Sequence, residues 1–218
     1  TTAAWANWRR EGEEEEDGGI RSEDWCASAD DAFKWVKKEL LEWTRTSDAD
    51  PKSKSSCRVL ILACGTSSLV AKLHDDGYTN IVCTDIAASA IEIQKRLHGR
   101  SRPGITFRVA DAARLSKAFG PRTPTFDVVI DKTGSDSIIF RSNRRIGKSL
   151  ARRMYGEVTK VLDPKAGVFL MISVSKQRTM LLLDPDIVAD DDAGGPGIEE
   201  EGEEGEQNDK NGGDEDKG

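Results

Sequence analysis

Three acids, Asp85, Asp111 and Asp131, each close an apolar run, and a fourth run ends in five small residues, Ala63-Cys64-Gly65-Thr66-Ser67. Small residues let a ligand approach the backbone, and a helix that follows directly points its free N–H groups at whatever binds there, favouring a carboxylate or phosphate. Asp85 stands 20 residues after Gly65, near the spacing at which an acid accepts hydrogen bonds from ribose hydroxyls. Asp111 is placed to meet an adenine amino group and Asp131 to reach a cofactor's reactive group. Singly, each such acid is more often a helix cap or a solvated loop residue; four run ends in register argue for a nucleoside cofactor. A dinucleotide enzyme would share the turn and the acid, but the G-x-G-x-x-G pattern is broken here by Ala63 and Ser68.

These residues converge if the runs are parallel strands, because an open α/β sheet gathers the carboxyl ends of its strands on one edge. The strands expected are Cys57–Leu62, Asn80–Thr84, Ile105–Ala110, Phe126–Ile130 and Val168–Val174, all nearly continuously apolar. Helices alternate with them. Ser28 caps one whose apolar residues, from Ala29 to Trp43, follow the 3.6 period; Ser68–Asp76 is closed by Gly77; Ala87–His98 turns Ile91, Ile93 and Leu97 inward; Ala112–Phe119 is short; and Ser142–Leu162 is long, stopped by Asp163-Pro164. The pattern predicts an α/β fold, a doubly wound, mostly parallel sheet.

Charge divides the 218 residues. Asp184–Gly218 carries fifteen acids and two lysines, which leaves 24 acids and 30 bases in residues 1–183. The expected organisation is an N-terminal arm with an acidic loop (1–27), a domain (28–183) and a disordered acidic tail (184–218) too poor in apolar residues to bury a core. Arg141, Arg144, Arg145, Lys148, Arg152 and Arg153 form a basic stretch in which Arg141, Arg145, Lys148 and Arg152 share one helical face. A solvated face is its default reading; docking an acidic protein, contacting phosphates or pairing with the acidic tail are the alternatives.

Thr1–Trp8 has no basic segment leading into an apolar run, so no signal peptide is expected, and no run approaches the roughly 20 residues of a membrane span. Cys26, Cys57, Cys64 and Cys83 lack paired spacing and fit a reducing, cytoplasmic compartment. With two histidines and no C-x-x-C, no metal site is expected.

Val59–Val174 resembles the class I S-adenosylmethionine-dependent methyltransferases and, among them, the eukaryotic lysine methyltransferases that act on translation elongation factor 1A and related proteins. The resemblance rests on Val59–Ser67, Asp85-Ile86-Ala87, Asp111-Ala112, Asp131-Lys132-Thr133-Gly134-Ser135-Asp136-Ser137 and Glu157–Gly167. Only the D-K-x-x-x-D element points to the subfamily. The chain departs from the family pattern where Ala63 replaces a glycine, where Thr133-Gly134 inverts Gly-Thr, and where the antiparallel strand pair expected after the fifth strand gives way to the acidic tail. Ala32-Phe33-Lys34-Trp35 echoes the aromatic N-terminal helix that caps the cofactor in such enzymes.

The resemblance implies S-adenosyl-L-methionine as cofactor, held by Ala63, Cys64, Gly65, Thr66, Ser67, Asp85, Ile86, Asp111 and Ala112. It implies a protein substrate, elongation factor 1A or one like it, with Asp131, Lys132 and Asp136 as catalytic candidates. Lys132 reads equally well as a structural residue of its loop. Methyl transfer from a sulfonium requires the protein to position and desolvate the nucleophile rather than to form a covalent bond. Asn-Pro-Pro-Tyr is missing after the fourth strand, which argues against nucleic-acid bases as acceptors. A small-molecule methyltransferase, and a catalytically weak binding module that keeps the sheet, are the competing readings.

Overall fold

The computed structural model describes residues 2–7, 24, 27–46, 53–120, 125–141 and 144–174. Its elements in chain order are β1 (Thr2–Asn7), α1 (Ala29–Thr46), β2 (Arg58–Leu62), α2 (Leu69–Asp75), β3 (Asn80–Asp85), α3 (Ala88–His98), β4 (Ile105–Val109), a 3-10 turn (Ala112–Arg114), α4 (Leu115–Phe119), β5 (Val128–Lys132), α5 (Gly134–Arg141), α6 (Arg144–Val161) and β6 (Val168–Ser173).

The described strands all pair in parallel, in the order β1-β6-β5-β2-β3-β4. From the centre, β2, β3 and β4 step one way and β5 and β6 the other, so the winding reverses between β2 and β5, where an open sheet leaves a crevice. Side chains alternate across the sheet. Val59 and Ile61 of β2 join Ile81, Val128, Ile130 and Leu170 beneath α1, α2 and α3. Leu60 and Leu62 face the opposite way, with Val129, Phe169 and Met171, against Met154, Tyr155 and Val158 of α6. This is the doubly wound α/β fold that the strand pattern predicts.

Several boundaries differ from expectation. The fourth strand begins two residues late and runs on through Asp131 and Lys132, which pair with Met171 and Ile172 of β6; Phe126 makes only an isolated bridge to Leu162. The expected long helix, Ser142–Leu162, is α6 (Arg144–Val161), and an additional helix, α5, fills Gly134–Arg141 at once after the strand. Arg141 ends α5, whereas Arg145, Lys148 and Arg152 lie in α6. On α3, Leu97 is exposed, while Gln94 takes the inward position beside Ile91. The arm contributes a strand, β1, which pairs along β6. The acidic loop, Cys26 and the acidic tail lie outside the described residues, as does any strand after β6.

Ser28 caps α1 as its position predicts, its Oγ accepting from the Asp31 N–H at 3.1 Å. Gly77 closes α2 at φ +104°, a conformation that costs a residue without Cβ little. Asp76, between them, accepts from Lys37 and Lys54 at 2.6 Å each and so ties α1 and the approach to β2 to the end of α2.

Candidate functional site

A cavity of about 770 Å³ opens at the carboxyl ends of β2, β3, β4 and β5, within the range of small-molecule and cofactor sites. One wall is the turn after β2, from Ala63 to Ser67. Asp85, Ile86 and Ala87 follow β3, Ala110, Asp111 and Ala112 follow β4, and Lys132, Thr133, Gly134, Ser137, Ile138 and Phe140 close the far side. The nine expected cofactor contacts all line this one space.

The turn is held from two sides. Asp85 Oδ2 accepts from the Gly65 N–H at 2.8 Å, and its Oδ1 accepts from the Ala87 N–H at 2.8 Å. Each carboxylate oxygen has a second lone pair, so a buried Asp85 can brace the loop and still accept from a ligand. Opposite, Gln94 Nε2 donates to the carbonyls of Gly65 at 3.1 Å and Ser67 at 2.9 Å. Asp111 Oδ1 accepts from the Ala113 N–H at 2.8 Å, capping the 3-10 turn, while its side chain stays partly exposed. Cys64 lies in the wall beside the wholly buried Cys83, whose thiol is pushed well up by burial and by contact with Cys64.

Among the described residues, two carry left-handed backbone without being glycine, Ala63 at φ +45° and Thr133 at φ +62°, and both line the cavity. For a β-branched residue this is a rare conformation, and strain of this kind gathers at functional sites. Both stand where the sequence departs from the pattern it resembles, at Ala63 and at the inverted Thr133-Gly134. Thr133 is secured by its N–H, which donates to Ile172 O at 2.8 Å. Gly134, its neighbour, has to be small, since a Cβ there would meet Ala63 Cβ and Asp131 Oδ1 at 2.7 Å. The turn after β2 and the start of α5 thus touch across the reversal point of the sheet.

Two of the three catalytic candidates do not reach the cavity. Asp131 is wholly buried, and its carboxylate accepts from the Gly134 N–H at 2.7 Å and the Ser135 N–H at 3.2 Å, satisfying the open amides of the first turn of α5. Burial pushes its pKa up to about 6, against the lowering effect of these N–H groups. Asp136 is equally buried; it accepts from Ser173 Oγ at 2.9 Å and from the Val174 N–H at 3.0 Å, which joins α5 to the end of β6. These acids hold the far wall rather than form it, because the helix begins earlier than the run of polar residues suggests.

Lys132 does line the cavity, with its Nζ 3.1 Å from Asp24 Oδ1. Asp24 Oδ2 in turn accepts from the Ala29 N–H at 2.8 Å, so the arm, α1 and the end of β5 meet at one ion pair. Asp24 and Gln94 were not among the expected site residues, and neither were Ser137, Ile138 and Phe140. A helical period could have turned Gln94 inward but not aimed it at the loop; Phe140, 62% exposed, lies in a stretch to which the sequence pattern assigns no element. Among the described residues no group of three metal-ligating side chains forms and no helix is long and apolar enough to cross a membrane.

Residues 59–165 match the protein family described as a methyltransferase domain. The mouse (Mus musculus) protein named eEF1A lysine and N-terminal methyltransferase is 33% identical over 130 residues, 60% of this chain and 17% of that protein. Its human (Homo sapiens) counterpart is 30% identical over 123 residues, 56% and 17%. The matched part of the chain thus spans about a sixth of these relatives. The crystal structure of a S-adenosylmethionine-dependent methyltransferase from Clostridium acetobutylicum ATCC 824 superimposes with a TM-score of 0.51 at 15% identity, over 66% of this chain and 50% of that one, which shows a shared fold. The cavity suits the cofactor of this class: acids at two strand ends for hydroxyl and amino donors, and a small-residue turn that admits a ligand to the backbone.

Proposed function

We propose that this chain, which carries a class I S-adenosylmethionine-dependent methyltransferase domain, methylates an amine of a protein, with a lysine of elongation factor 1A or a similar protein as acceptor. The observation that supports this most is that one cavity joins the Ala63–Ser67 turn and Asp85 to the Lys132-Thr133-Gly134 segment, cofactor motif and subfamily motif together. The eEF1A relatives supply the acceptor class by name.

S-adenosylmethionine, when bound, supplies an electrophilic methyl group on a sulfonium. Asp85 would hold its ribose, Asp111 its adenine end, and the Ala63–Ser67 turn its charged amino-acid end. The rest falls to the far wall. Ile138 and Phe140 give that wall an apolar rim, where a lysine amine, with a pKa near ~10.4 in water, is desolvated and loses its proton more readily. Asp131 and Asp136 act at one remove, as positioning residues that fix α5 and the strained Thr133-Gly134 backbone.

The test is transfer of labelled methyl from the cofactor, using purified elongation factor 1A and, separately, a small-amine pool from a cell extract. Label on a lysine of the protein supports the reading. Label confined to small molecules would make the chain a small-molecule methyltransferase, and cofactor binding without transfer to either would make it a binding module.

A further inference from the structure

Gln94 is the one polar residue of α3 among the described residues that is wholly buried. Its Nε2 donates to two carbonyls of the same turn, Gly65 O at 3.1 Å and Ser67 O at 2.9 Å, while its Oε1 is buried with no hydrogen-bond partner. A buried oxygen without a donor costs free energy, and a methionine of similar length would fill the space without that cost. The amide is therefore poorly explained by packing. Its orientation is settled by chemistry, since the reverse placement would set Oε1 against two carbonyl oxygens.

The consequence lies in the peptide planes. In a trans peptide the C=O of one residue and the N–H of the next point in opposite directions. Drawing the Gly65 carbonyl toward Gln94, on the core side, turns the Thr66 N–H the other way, and Thr66 lines the cavity. Asp85 fixes the preceding N–H, that of Gly65, at 2.8 Å. The two residues, from β3 and α3, thus grip successive peptide groups of the turn.

We propose that Gln94 is a positioning residue for cofactor binding, one that sets the Gly65 and Ser67 carbonyls and so fixes the peptide planes of the turn that lines the cavity. This rests on the methyltransferase reading of the cavity. Gln94 touches no ligand itself, and its contribution is to affinity for the cofactor rather than to the transfer step.

The experiment is calorimetric titration of the full chain with S-adenosylmethionine, for wild type, Gln94→Met, Gln94→Glu and an exposed control on the same helix, Lys95→Met. Gln94→Met is expected to fold with a lowered melting temperature, to weaken binding at least tenfold, and to keep kcat at saturating cofactor while the cofactor KM rises. Lys95→Met should bind as wild type does. Gln94→Glu serves if the Met variant fails to fold: its neutral acid keeps one donor, so affinity should be intermediate at pH 5 and fall at pH 8, where wild type is unchanged. Wild-type affinity in Gln94→Met, or in Gln94→Glu at both pH values, would overturn the proposal while leaving the cavity's function intact. No binding by wild type itself would overturn both.

Discussion

Asp85 is read from sequence as a ligand for ribose, and the structure adds that the same carboxylate already braces the Gly65 and Ala87 amides. Asp85→Ala should therefore weaken cofactor binding by about 1.5 to 3 kcal/mol, the scale of hydrogen bonds to a charged group, and lower thermal stability as well; calorimetry and melting curves measure the two separately. Asp131 is different. Its pKa, pushed up to about 6 by burial, lies above the roughly 3.9 of an unfolded chain. The neutral form is thus favoured in the fold, so the stability this group contributes is present below about pH 4 and lost as pH rises through 6, up to about 3 kcal/mol for a shift of this size. Urea unfolding across pH 4 to 7 should show that decline in wild type and a flatter profile in Asp131→Asn. Identical profiles would remove burial as the dominant influence on this group. Both acids are visible in sequence as strand-end carboxylates, but nothing in the letters separates the one that faces the cavity from the one that caps the next helix. That depends on where α5 starts.

At the scale of elements, the four inner strands and most helices are readable because their apolar runs match their burial, as in β2, where alternate residues feed two cores, whereas β1 lies in the arm and is not among the expected strands. The start of α5 is not readable, since Thr133-Gly134-Ser135-Asp136 has the composition of a loop and becomes helical through the Asp131 cap. The contact between the turn after β2 and the start of α5 is likewise tertiary: Gly134 is small because Ala63 and Asp131 leave no room for a Cβ. Gly134→Ala should destabilise by about 1 to 3 kcal/mol, the usual cost of overpacking. Ala63→Gly relieves left-handed strain and should stabilise by roughly 1 kcal/mol. If the two groups collide, the double variant should recover more than the sum of the single effects, a coupling of about 0.5 kcal/mol or more; strict additivity in denaturant titrations would mean that the turn and α5 move independently.

Across the whole molecule, charge is segregated along the chain: 24 acids and 30 bases in residues 1–183 against fifteen acids and two lysines after them. Removing Asp184–Gly218 leaves a body near +6, which should bind an anionic resin more tightly than the full chain at about 0.1 M salt, where the Debye length is about 10 Å, with the difference gone at about 1 M, where it is about 3 Å. Equal elution at low salt would show that the body's bases do not act together.

The cavity at the strand ends is where the cofactor has to sit for these roles to hold. The most direct test of this placement is titration of the full chain with S-adenosylmethionine while amide hydrogen exchange is followed. Saturable binding that protects Ala63–Ser67, Asp85–Ala87 and Asp111–Ala112, and is weakened in Asp85→Ala, is the predicted result. Saturable binding that leaves these segments unprotected, or no binding at all, would contradict it.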